Sequence, residues 1–198
     1  MKPFLMRLLL ALATAASPSL AAAQSRTRPA FPPQTAAHNG IITTEPYDEG
    51  DSTRRLITLQ PMLFRQNPEW QASFSLTYSY TTNPYKFDGG VRLLFLSRGP
   101  QCRFGQNSPI LITKANGVPF TVEYRPAPGY GVNWIYSETG EEGGCVESLT
   151  ATLLPKTFTQ LAEGNPRAAR IGTANFLFDS NQVNAMRAFD RAVTRAPN

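Results

Sequence analysis

Over Leu56–Leu154 apolar side chains recur mainly at every second position. The clearest stretch is Gln71–Tyr80. Phe74, Leu76, Tyr78 and Tyr80 fall on one face, and Ser73, Ser75, Thr77 and Ser79 on the other. Such alternation predicts a strand with a buried face and a wet face, as in an antiparallel sheet. Leu56–Arg65 repeats the pattern with Ile57, Leu59 and Leu63 in phase, and Val91–Ser97 is more continuously apolar, so more deeply buried. Ile110–Thr113 and Val118–Tyr124 flank Asn116-Gly117, a pair that predicts a type I′ hairpin. Val118, Phe120, Val122 and Tyr124 share a face there, and Pro119 marks an edge strand or a bulge. Tyr130, Val132, Trp134 and Tyr136 alternate again, and Cys145, Leu149, Ala151 and Leu153 are in phase on the next strand.

The period then lengthens. Pro155 opens a short helical turn through Phe158 and Leu161, which Gly164-Asn165-Pro166 ends. Ile171–Phe178 predicts a last strand. Asp179–Arg195 is the strongest helix: Asp179 and Gln182 have capping-box spacing, and Val183, Met186, Phe189 and Val193 make one apolar stripe. The fold expected is mainly β: an antiparallel β-sandwich or open barrel of about six to eight strands, with a C-terminal α-helix packed on it.

The first residues belong to another system. Lys2 and Arg7 precede an apolar run over Leu8–Ala16, and the segment ends in Ala21-Ala22-Ala23. A charged start, a short apolar middle and a small-residue end are the layout of a secretory signal peptide. Residues 1–23 are therefore expected to be removed and the product to be periplasmic or secreted. Residues 24–44, with Pro29, Pro32, Pro33, Arg26 and Arg28, read as a flexible leader. Residues 45–198 read as one β-rich domain, entered through the acidic, turn-rich segment Glu45–Asp51. The layout resembles small exported envelope proteins at the level of fold alone, which carries no function.

Composition narrows the chemistry. The 198-residue chain carries a net charge of +5, and Lys2 and Arg7 of that excess belong to the signal. So mild a charge, without a dense basic stripe, argues against nucleic acid as a partner. No apolar run after Ala23 reaches transmembrane length. Cys102 and Cys145 are the two cysteines, and in an oxidising compartment such a pair is expected to form a disulfide.

Catalytic signatures are sparse. His38, the single histidine, lies in the leader, and no G-x-S-x-G elbow or S-x-x-K motif occurs. One histidine and two paired cysteines do not make a zinc site. The acidic groups Asp48, Glu49, Asp51 and Glu138, Glu141, Glu142 do not match a calcium loop and read as solvated turn charge. No metal or cofactor is expected. Glu123 and Glu147 are the strand carboxylates that would serve a glycosidase-like hydrolase, with Trp70 and Trp134 as stacking platforms. Strand propensity already accounts for those aromatics.

Arg187, Arg191 and Arg195 line one face of the last helix at i, i+4 spacing and suggest an acidic partner or anionic lipid. Asp190 interrupts that face, and cations near a helix C-terminus also favour its dipole. The expectation is a non-enzymatic binding module that meets an envelope protein or polymer. The alternative is a periplasmic hydrolase using the carboxylate pair.

Overall fold

The computed structural model describes residues 40–48, 51–64, 70–81, 89–125, 130–139 and 144–196, without the side chains at 48, 51–52, 133–136 and 139. The signal segment, the leader up to residue 39 with His38, and Glu49, Glu141 and Glu142 lie outside the described residues.

Ten strands and two helices follow in order: β1 Ile42–Asp48, β2 Asp51–Leu63, β3 Gln71–Thr81, β4 Val91–Gly99, β5 Ile110–Lys114, β6 Pro119–Val122, β7 Gly131–Thr139, β8 Cys145–Leu153, α1 Pro155–Glu163, β9 Pro166–Ile171, β10 Ala174–Leu177 and α2 Ser180–Arg195. The larger sheet runs β1-β2-β3-β4-β8-β7 and the smaller β10-β9-β5-β6. All their ladders are antiparallel. The larger sheet curls into a half-barrel. The sheets meet at a corner where Tyr124 and Val132 form a parallel bridge, with Val132 N–H donating to Glu123 O at 2.8 Å and Arg125 N–H to Val132 O at 2.9 Å.

The strand count exceeds six to eight for two reasons. The end of the expected flexible leader, Ile42–Thr44, and the acidic segment expected to be an irregular approach together form β1, because their backbone pairs with β2 from Ile42 opposite Leu59 to Asp48 opposite Asp51. The expected single last strand is a hairpin, because Gly172 takes a φ of +55° and turns the chain between β9 and β10.

The inner face of the half-barrel carries Ile57, Leu59, Phe74, Leu76, Leu93, Phe95, Leu149 and Ala151, all buried. Phe176 of β10 enters the centre of this face, with ring centroids 4.8 Å from Phe64, 5.6 Å from Trp70 and 5.6 Å from Phe95. α1 and α2 complete the core through Phe158, Leu161, Val183, Met186, Phe189 and Val193. α2 begins with the expected capping box between Asp179 and Gln182.

Three local expectations change. Leu63 is 42% exposed and Met62 takes the buried position, because the β2–β3 register shifts between Leu59 and Met62. The Asn116-Gly117 turn has positive φ at Gly117 alone, so it is not type I′. Gly117 N–H donates to Lys114 O at 3.0 Å and Val118 N–H to Asn116 Oδ1 at 3.1 Å, which fits a longer hairpin connection with the glycine left-handed. Val118 at this turn is exposed rather than in phase with the buried Val122. Finally, Ser73 and Ser75 are buried rather than wet. Ser73 lies between Leu63 and Leu96 and Ser75 opposite Leu94, so larger neighbours overhang the small hydroxyls.

Candidate functional site

Glu147 shares the buried phase of β8 with Cys145 and Leu149 and is fully buried. Its carboxylate is fully engaged. Arg103 N–H donates to one oxygen at 2.6 Å, and Phe104 N–H donates to the other at 2.8 Å. The Ser137 hydroxyl on β7 lies 3.5 Å from that second oxygen. Burying an ionised carboxylate is costly unless hydrogen bonds replace its water, and two consecutive backbone N–H groups do so here.

Those donors belong to the segment that carries the chain from β4 to β5. Cys102, the residue before them, forms a disulfide with Cys145 on β8. On the other side, Thr173 N–H donates to Arg103 O at 2.8 Å. A Cβ at Gly172 would collide with the carbonyls of Arg103 and Phe104, so glycine is required for this approach as well as for the turn. Phe104 is fully buried, with its ring 6.1 Å from that of Phe176. The Arg103 guanidinium lies 4.6 Å from the Trp70 ring centroid, and Trp70 Nε1–H donates to Ser97 Oγ at 2.9 Å. Trp70 is thus a buried core residue with a satisfied indole.

Glu123 is exposed just beyond β6. Its backbone bonds to Val132 on β7, whereas Glu147 stands opposite Ser137 on the same strand. Five residues of strand separate those positions, about 16 Å. Glu123 is exposed and Glu147 fully buried, so the two carboxylates stand in different surroundings. Trp134 is opposite Thr150 in register, and its side chain lies outside the described residues.

The sulfurs of Cys102 and Cys145 and a Glu147 oxygen lie within 4.8 Å of one another. That would be the start of a metal site if the sulfurs were thiolates. They are bonded to each other, and the carboxylate already accepts two N–H groups, so this donor set does not fit a zinc centre.

The arginines of α2 divide. Arg187 is half-buried, and its Nε–H donates to Ala162 O, in the last turn of α1, at 3.4 Å. A cation there opposes the partial negative charge of the helix end. Arg191 and Arg195 are exposed. Asp190 is half-buried and accepts from Thr159 Oγ1 on α1 at 2.8 Å. Lys156, on the first turn of α1, is exposed, and Leu154 immediately before α1 is 43% exposed.

Comparison with protein families, characterised proteins and solved structures finds no match for this chain.

For Glu147 the strand phase itself was the missed signal, because Cys145, Glu147 and Leu149 alternate inward. For Lys156 and Leu154 no pattern on a single element would serve. Their relation to α2 comes from helix packing.

Proposed function

We propose that this protein is an exported, non-catalytic binding module of the cell envelope, working after removal of the signal over residues 1–23. The observation that carries the reading is the division of its charges. Glu147, the buried carboxylate, is occupied by backbone donors, while Arg191 and Arg195 stand in solvent on a helix fixed to a rigid β scaffold. A disulfide between β8 and the β4–β5 connection suits an oxidising compartment. Among the described residues no helix is long and apolar enough to cross a membrane.

The test is crosslinking of the tagged, exported protein in its own cells, with mass spectrometry of what it captures. The expected result is one reproducible envelope component that is lost when Arg191 and Arg195 become Glu. A hydrolytic activity that disappears in Glu123→Gln and Glu147→Gln, with folding intact, would replace this reading with an enzyme.

A further inference from the structure

The contacts between α1 and α2 fix their relative register. Thr159 meets Asp190, and Ala162 meets Arg187, so the helices run antiparallel. One turn further, Lys156 stands level with Val193, between Arg191 and Arg195 on the neighbouring helix. Leu154 caps the start of that turn. Thr152, two residues before Leu154, is paired with the exposed Arg92 on β4. Exposed Leu154, Lys156, Arg191, Arg195 and Arg92 thus come from neighbouring elements: the start of α1, the helix packed on it, and the strand paired with β8.

On α2, Arg191 and Arg195 lie opposite the buried stripe of Val183, Met186, Phe189 and Val193. They therefore project from the outermost face of the helix pair rather than into a groove. Among the described residues α1 and α2 with its N-cap carry three carboxylates, Asp190, Glu163 and Asp179, and Asp179 caps the far end of α2. Asp190 is bonded to Thr159, and Glu163 sits at the opposite end of α1.

Resting on the binding-module reading, we propose that Leu154, Lys156, Arg191 and Arg195, with Arg92 at the margin, form a peripheral docking site for an anionic phospholipid surface. A convex cationic face suits a flat, charged surface better than an extended peptide, which would need a groove or an open strand edge. The combination of head-group attraction with a small apolar contact is that of interfacial anchors. Arg187 is not part of the site, because its guanidinium ties the two helices together.

The experiment uses the exported, disulfide-bonded protein, purified from cells that process it, in co-sedimentation with vesicles. One set is phosphatidylcholine alone and the other mixes it with phosphatidylglycerol. Binding is expected only to the anionic vesicles and should weaken as salt shortens the screening length. Removing one cation should weaken partitioning about fivefold. Lys156→Glu with Arg191→Glu and Arg195→Glu should abolish it, and Leu154→Ser alone should weaken the binding that remains at high salt. Each variant is checked for an unchanged unfolding midpoint. Arg170→Glu, an exposed charge on the smaller sheet, is the control expected to bind as before.

Equal binding to both vesicle types, no binding to either, or equal losses from Arg170→Glu and the triple variant would overturn the lipid site. If vesicles are ignored while an envelope protein is still crosslinked through Arg191 and Arg195, the lipid assignment fails and the binding-module reading stands. If both measurements are empty, both fail.

Discussion

Two charged regions of this molecule stand in opposite relations to its fold. Glu147 is fully buried, and its charge is satisfied by the backbone of the β4–β5 connection. Arg191, Arg195 and Lys156 sit in solvent, as does Leu154. A buried charge without partners would destabilise the protein, so its surroundings are built around it. An exposed charge contributes little to stability and is free to serve recognition. The difference separates a residue that holds the structure from residues that present a surface, although all were visible as charges in the chain.

Mutations can break or sharpen this contrast. The largest effect is expected around the buried carboxylate. Replacing Cys102 and Cys145 together by Ser releases a loop with a sequence separation of 43 residues. That should cost about 4 kcal/mol in urea unfolding. Glu147→Ala leaves the Arg103 and Phe104 N–H groups unpaired and should cost about 3 kcal/mol by the same measurement. Glu147→Gln should cost less, because its carbonyl oxygen still accepts one bond. Arg187→Ala removes the tie to the end of α1 and should cost about 1 kcal/mol. Arg191→Ala and Arg195→Ala should each change stability by less than about 0.5 kcal/mol. If Arg191→Ala proved as damaging as Arg187→Ala, the division of the arginine stripe would be wrong.

Much of the fold could be read from local pattern. α2, its capping box and its stripe follow from spacing alone, because those contacts lie within one helix. The short helix after Pro155 and the inward phase of Cys145, Leu149, Ala151 and Leu153 were equally legible. Features set by neighbouring strands were not. Ser73 and Ser75 look polar enough for a wet face and become buried only because Leu63, Leu94 and Leu96 flank them. β1 is polar and acidic, and it is a strand because β2 offers it an edge. The register shift that exchanges Leu63 for Met62 depends on pairing with β3.

The candidate sites divide in the same way. The disulfide partners could be named from the compartment argument. The arginine stripe could be seen but not sorted, since the carbonyl that engages Arg187 belongs to α1. The pairing of Glu123 with Glu147 rested on residue type, and the first is exposed while the second is fully buried. Leu154 and Lys156 join the α2 face through tertiary register alone.

The most direct test measures unfolding and binding side by side in two variants, Glu147→Gln and the Lys156→Glu, Arg191→Glu, Arg195→Glu triple. The first is expected to be less stable yet to bind anionic vesicles as the parent protein does. The second is expected to unfold at the parent's urea midpoint and no longer to bind. A stable Glu147→Gln, or a triple variant that either unfolds early or binds unchanged, would contradict this contrast.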